Sequence, residues 1–499
     1  MTPGELARDQ QAQIENARAL AGSGRLQEGL NLLAPLAARA DAPWQALSLQ
    51  ADLLKHAGRL ADSAEASRRL VAVRPQSVPA RHNLASTLGD MGRAAEAEIF
   101  ARQALAIGGD APETWLVLAR ALQSQNRFDE ADTAYRAALQ RRPGYADALR
   151  DLSQLIWMRT ADADAACEPL NTAIDAQPGA CVLRQIKARL LEFAGRREDG
   201  YAALVEGSLD AAGELAAAQA ILPLDPRRAA EHANRAAALA GRPILPIQLV
   251  QAETCLALGD PQAALVHVEA MRAMAPHNQN VLALLATAWR MQGDPRYDAL
   301  YDYEALVRSY RLDTPSGWAS LETYLSDLAA ALHGLHKLQA HPVGQSLRGG
   351  SQTAAKLSES DDPVIVAFFQ AVEGPIRRHM EALGTGEDPV RSRHTGRYRI
   401  QGSWSVRLRP NGFHADHIHS EGWLSSACHI ELPPAIHSGE REGWLRFGAA
   451  PGLPDLPAQH YVQPSPGTLV LFPSYMWHGT TPFGGEQSRL TLAFDIVPA

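Results

Sequence analysis

Residues 112–143 read PETWLVLARALQSQNRFDEADTAYRAALQRRP. Trp115, Leu118, Ala119 and Leu122 recur at helical spacing, the pattern breaks at Asn126, and Ala131, Tyr135 and Ala138 resume it. Steps of three and four put each set on one face of a helix, so the stretch predicts two antiparallel helices joined by a short turn. The small residues Ala119, Ala131 and Ala138 let these helices approach closely, and Trp115 and Tyr135 are expected to fill the gaps toward neighbouring units. Working outward, turn residues recur at Gly24, Gly58, Gly92, Asn126, Thr160 and Gly195, at separations of 34, 34, 34, 34 and 35. Helix-ending residues keep the same step at Pro75, Gly109, Pro143 and Pro178. A unit of this size buries its apolar face only by stacking on its neighbours.

A helix-turn-helix period of 34 is that of the tetratricopeptide repeat. The register loosens after Pro178, through the alanine-rich stretch 213–220 and the break from Pro223 to Pro226, and returns at Gly259-Asp260-Pro261 and Gly293-Asp294-Pro295. The expectation is one all-α solenoid of seven to eight helical pairs over residues 1–296. Such an array offers a concave groove for a protein or peptide partner; a spacer that dimerises or stiffens the molecule is the alternative.

The chain has 499 residues, more than one hydrophobic core usually organises, so a second domain is expected over residues 297–499. No apolar run approaches the length of a membrane span, and Met1-Thr2-Pro3-Gly4-Glu5 lacks a secretory pattern. The four cysteines, Cys167, Cys181, Cys255 and Cys428, are far apart and form no zinc or redox pair, which points to reduced thiols in a cytoplasmic protein. With a net charge of −8 and dispersed basic residues, nucleic acid is not an expected partner.

Past Pro295 aromatics gather at Tyr297, Tyr301, Tyr303, Tyr310 and Trp318, and a helical period runs from Leu321 to Leu338. A turn-rich segment, Gln345 to Thr353, is read either as a loop at the mouth of a site, with Arg348 touching substrate, or as an edge loop capping a sheet. Residues 363–383 predict one further helix on the outside of the sheet, within a helical extension over 297–395. From Gly396 the pattern alternates: Trp404, Val406 and Leu408 against Ser405, Arg407 and Arg409. That is a strand, with Pro410-Asn411-Gly412 as a turn after it. Short segments between Pro433-Pro434, Gly439, Gly448, Pro464 to Gly467 and Gly484-Gly485 predict a β-sandwich core over 396–499.

This core carries the chemistry. His417 and His419, one residue apart on a strand, would point the same way, and His478 follows a later apolar strand, so the three predict one face of a metal site. Arg489 opens the last strand with Thr491 on the same face, and an arginine beside such a metal holds the far carboxylate of a keto acid. Trp423, Tyr475 and Trp477 are expected in the pocket walls. His414 with Asp416 forms a second candidate pair of opposite parity, and a regular strand turns only one pair inward; with His417 and His419 inward, Asp416 faces out.

Several runs carry a family likeness: 403–408 (SWSVRL), 417–426 (HIHSEGWLSS), 466–473 (PGTLVLFP), 477–480 (WHGT) and 489–495 (RLTLAFD). They resemble the 2-oxoglutarate- and Fe(II)-dependent oxygenases that bacteria fuse to tetratricopeptide repeats, over roughly residues 300 to 499. The resemblance implies a double-stranded β-helix (jelly-roll) with iron in its mouth, and places the ligand pair just before the glycine-tryptophan turn. It therefore favours His417, His419 and His478 for Fe(II), with Arg489 and Thr491 for 2-oxoglutarate. It implies a dioxygenase that decarboxylates 2-oxoglutarate and hydroxylates a protein or peptide recruited by the repeats. Three imidazoles depart from the usual two histidines and a carboxylate. That departure keeps two alternatives open: a binding scaffold with an inactive jelly-roll, and a cupin-like zinc enzyme.

Overall fold

The 34-residue period becomes antiparallel helix pairs in the computed structural model, which describes residues 3–354, 356–453 and 456–499. Helices Pro112–Ser124 and Phe128–Arg141 form the pair read above, with Ala119, Ala131, Ala138 and Tyr135 buried. One turn device recurs. A residue takes a left-handed φ of 84° at Gly24, 73° at Gly58, 77° at Gly92 and 59° at Asn126. The next amide then reaches back five residues: Arg25 to Leu20, Arg59 to Leu54, Arg93 to Leu88, Arg127 to Leu122. Glycine and asparagine recur because they adopt that φ at least cost.

Two repeat residues differ from expectation. Thr160 stays helical and Ala161 takes the positive φ of 57°, because a β-branched residue is poorly suited to that region. Trp115 is half-buried rather than a core filler: its Nε1 donates to Asp110 at 2.9 Å and the Arg141 guanidinium lies 4.8 Å over its ring. The indole N–H needs an acceptor, and Asp110 supplies it at the surface. In the middle of the array, helices Ala211–Ile221 and Pro226–Ala240 still pair, their turn closed by an Asp225 cap on the Arg228 amide and by Pro226 in the first helical turn.

The chain divides into two compact units, residues up to Leu152 and residues from Ser153 on. Among the described residues, the second contains helices from the later repeats and nine strands: β1 (Arg308–Arg311), β2 (Leu347–Gln352), β3 (Tyr398–His414), β4 (Leu424–Glu431), β5 (Leu445–Phe447), β6 (His460–Val462), β7 (Thr468–Pro473), β8 (His478–Thr480) and β9 (Arg489–Pro498). They form an antiparallel six-stranded sheet, β1-β7-β4-β9-β3-β2, and a three-stranded sheet, β6-β5-β8. Phe447 of the small sheet meets Phe472 of the large one edge-on, with centroids 5.0 Å apart, inside a buried core that includes Leu469, Leu471, Leu492 and Phe494. A helical repeat array is thus followed by a jelly-roll-like β-sandwich.

Within Gln345 to Thr353, Leu347–Gln352 form an edge strand paired with β3, and Gln345, Ser346, Arg348 and Gln352 line a cavity. Pro410-Asn411-Gly412 is no turn. It lies within β3 as a bulge, where pairing jumps from Gly350↔Leu408 to Arg348↔Phe413 and Asn411 takes a φ of 64°. The helix expected over 363–383 is two, Pro363–Ala371 and Glu373–Leu383, because Pro375 cannot donate a backbone bond and is tolerated only in a first turn. Phe368 of the first of these packs on Phe494 of β9. Among the described residues, no helix is long and apolar enough to cross a membrane.

Candidate metal and co-substrate site

After His414 the chain leaves β3 and crosses to the small sheet. His417 pairs with His478 through two backbone bonds, 2.9 and 3.0 Å, and the His419 amide donates to the Ser474 carbonyl at 3.0 Å. The two histidines therefore do not share a regular strand, as the spacing predicted; a single bridge residue and the segment after it aim them instead. At the start of β8, Gly479 has no room for a side chain: a Cβ there would lie 2.7 Å from both Asp416 Oδ1 and the His414 carbonyl oxygen. Its hydrogen lets this crossing segment lie against the small sheet.

One nitrogen from each of His417, His419 and His478 lies within 4.8 Å of the other two. Their second nitrogens are all engaged. His417 Nδ1 donates to the Ala415 carbonyl at 2.8 Å, His478 Nδ1 to the Met476 carbonyl at 2.9 Å, and His419 Nδ1 to the Asp495 carboxylate at 2.6 and 2.7 Å. With the proton on Nδ1, each Nε2 presents a lone pair. His417 Nε2 and His419 Nε2 stand 3.2 Å apart, two acceptors with no proton between them. Ligands about 2.1 Å from one ion are spaced by roughly this much when adjacent, so the donor set fits a divalent metal. Burial first, then the neighbouring imidazoles, pushes His417 down to about 3 and His478 well below the usual histidine range, which keeps both rings neutral.

Asp495 was not among the residues singled out from sequence. It is half-buried, receives the Ser425 hydroxyl at 2.7 Å, and orients His419 in the way that carboxylates orient metal-bound histidines. The signal was available: Arg489, Thr491, Ala493 and Asp495 alternate along β9 and all line one cavity of about 500 Å³.

His414 and Asp416 also line that cavity but stay outside the nitrogen cluster. His414 Nδ1 bonds the Ser346 hydroxyl at 3.0 Å. Asp416, expected to face outward, is held by Arg446 through bonds of 2.9 and 2.5 Å. The parity argument does not apply to it, because residues 415–419 are not a regular strand.

The opposite end of the cavity holds Arg489, only 2% exposed, with Thr491 beside it. Arg489 Nη2 donates to His429 Nδ1 at 3.4 Å, which leaves the His429 proton on Nε2. Arg489 Nε and Nη1 and His429 Nε2 are buried and have no protein partner among the described residues. Burial alone brings the guanidinium down to about 10, with no carboxylate to offset it. Three unmet donors and a buried cation suit a carboxylate. His429, not singled out from sequence, belongs to this end.

Arg348 lies across the cavity wall, its guanidinium 5.0 Å over the ring of Phe193, which is contributed by helix Cys181–Phe193 of the repeats. No sequence pattern announces that contact. The aromatics expected in the walls are elsewhere: Trp423 is buried with Nε1 on the Val390 carbonyl, Tyr475 is buried with its hydroxyl on the Leu300 carbonyl, and Trp477 donates to Thr287.

Residues 402–495 match the family model described as "Putative 2OG-Fe(II) oxygenase", and residues 112–155 and 78–107 match tetratricopeptide-repeat models. Tetratricopeptide repeats and a domain of that oxygenase family share this chain. At the level of that family the domain is an oxidoreductase, and the family implies Fe(II) and 2-oxoglutarate. Among solved structures, the chain is similar to a tetratricopeptide repeat protein from Parabacteroides merdae, at 16% identity, 50% of this chain, 99% of that one and a TM-score of 0.36. It is also similar to MamA from Desulfovibrio magneticus (14%, 34%, 96%, 0.32) and to a thermophilic tetratricopeptide-repeat protein of Thermus thermophilus (18%, 37%, 99%, 0.31). No curated protein matches the chain. Repeats of this class generally mediate protein-protein interactions.

Proposed function

We propose that the protein is an Fe(II)- and 2-oxoglutarate-dependent dioxygenase that hydroxylates a protein or peptide substrate recruited by its repeats. In this reading residues 1–296 recruit and residues 297–499 catalyse. His417, His419 and His478 hold the iron, and Arg489 with Thr491 holds the distal carboxylate of the keto acid. When bound, iron and keto acid together supply dioxygen activation coupled to decarboxylation, giving succinate, carbon dioxide and a hydroxylated substrate.

The chain's own residues bind and orient. The Ala415 and Met476 carbonyls and the Asp495 carboxylate keep the protons on Nδ1, so three Nε2 lone pairs face one point. Arg489 and His429 present only donors to the far carboxylate, and the buried strand around them excludes water. Phe193 and Arg348 border the entrance for substrate.

The observation that carries the reading is the pairing, in one cavity, of a three-nitrogen cluster with a buried, unmatched guanidinium. The test is calorimetric binding of 2-oxoglutarate to the cobalt-loaded chain, followed by succinate release from the iron-loaded chain with dioxygen. Both are expected for the native protein, and His478→Ala should lose metal binding and succinate release together. A native chain that binds neither metal nor keto acid would refute the enzyme and leave the repeats as a binding scaffold.

A further inference from the structure

A second cavity, of about 270 Å³, lies within the unit from Ser153 on and is walled by Leu222, Leu256, Leu284, Leu453 and Trp477, with Glu253 among its lining residues. Its size is below the roughly 300–1,000 Å³ of sites for larger organic ligands, so it suits a single side chain or a small molecule. Trp477 and His478 are consecutive. His478 lines the cavity of the metal site and Trp477 lines this one, so the two cavities lie on opposite sides of one short segment.

Glu253 is the unusual element. It stands on helix Leu245–Ala257 with no hydrogen bond or ion pair to any described residue. Burial alone pushes its carboxyl up to about 7, with no cation to oppose the shift. Arg290, on the neighbouring helix Gln279–Gln292, is committed to the Gly448 and Pro457 carbonyls at 2.7 and 2.8 Å. Glu253 is half-buried, and a carboxylate partly withdrawn from water among apolar walls, with no partner among the described residues, gains from a positive charge.

The other polar side chains in the wall are already satisfied. The Thr287 hydroxyl donates to the Ala283 carbonyl at 2.8 Å and accepts from Trp477 Nε1 at 3.0 Å. Among the described lining residues, Glu253 is then the one side-chain acceptor left. A guanidinium would bring five donors to it, whereas a compact ammonium brings three and an alkyl chain that the apolar wall can cover. The indole of Trp477 adds an aromatic surface for a cation.

We propose that this cavity binds a primary alkylammonium group, its charge against Glu253 and its methylene chain along Leu256, Leu284 and Trp477. The group is supplied either by a free amine or by a lysine side chain. An occupant there touches the residue next to His478.

The test is titration calorimetry on the full chain at pH 7.5 with n-pentylamine, Nα-acetyl-lysine methylamide and n-pentanol. The amine is expected to bind at least tenfold more tightly than the alcohol of the same length. Glu253→Gln should remove that difference while leaving alcohol binding unchanged. Binding of the lysine amide alongside pentylamine assigns the site to a protein side chain, and binding of pentylamine alone assigns it to a free amine. Equal affinity for amine and alcohol, no binding of either amine, or a Glu253→Gln protein that still prefers the amine would overturn the proposal. The amine-alcohol contrast is read on the unaltered chain, so it does not depend on the variant folding.

Discussion

Replacing Arg489 with methionine should make the protein more stable and blind to the keto acid. Arginine ordinarily titrates above 12; burial brings Arg489 down to about 10. At about 1.4 kcal/mol per tenfold change in proton affinity, holding this cation costs the folded chain roughly 3 kcal/mol. At pH 7 the residue is protonated whether folded or not, so the cost is present in full and would be relieved only as pH rises through about 10. Methionine fills a similar length with no charge but gives up the contact to His429 Nδ1, so a net gain of about 1–2 kcal/mol is expected. In the native protein a keto acid at a hundred times its Kd should add about 2.7 kcal/mol; in Arg489→Met that increment should vanish. The assay is chemical unfolding of the zinc-loaded chain, followed with and without 2-oxoglutarate. A variant less stable than the native protein by more than about 1 kcal/mol without ligand, or one still stabilised by the keto acid, would refute the assignment of Arg489 as an unmatched cation awaiting a carboxylate.

Other perturbations test separate parts of the structure. Asp495→Asn keeps the shape beside His419 but removes the charge, and should weaken zinc binding by about 10–100-fold in a chelator competition; unchanged affinity would show that Asp495 does not act on the metal through His419. His336 is buried between the Ser351 and Ser405 hydroxyls, and burial, then Arg407, pushes it down to about 3. Its folded value lies below the unfolded 6.5 or so, so the unfolded state takes up the proton first and stability falls as pH drops from about 6.5 toward 3, by about 2 kcal/mol at pH 5. His336→Asn should flatten that acid limb, measured by unfolding between pH 4 and 7; an unchanged slope would contradict it. Ala119→Leu adds volume where Ala119 is fully buried, and should cost about 1–3 kcal/mol in the thermal unfolding of the repeats, with keto-acid binding retained.

The repeats were legible because their information is local. A period of 34 and a glycine or asparagine at each turn follow from backbone sterics and helical spacing, and both hold except at 160–161, where threonine could not take the left-handed φ. The β-core was legible as alternation and turns, yet the bulge at 410–412 and the helix break before Pro375 escaped, since partner strands and packing decide whether such residues turn, bulge or restart a helix. In the candidate site, the residue types could be read but not their wiring. His417, His419, His478, Arg489 and Thr491 were candidates from spacing, with the family resemblance favouring His417 and His419 over His414 and Asp416, whereas Asp495 and His429 became meaningful only with the register that sets β9 beside β4, pairing Asp495 with Ser425 and Thr491 with His429.

By itself, then, the sequence determined a stacked helical array, a following β-sandwich and the chemical kinds of group available to a metal and a carboxylate, because periodicity and side-chain chemistry are properties of neighbours along the chain. Only the tertiary structure decided that Asp416 is taken by Arg446, that Phe193 of a repeat helix borders the cavity and that Glu253 has no partner among the described residues. Each of these depends on which distant atoms share a space, and burial, by removing water, turns that proximity into energy.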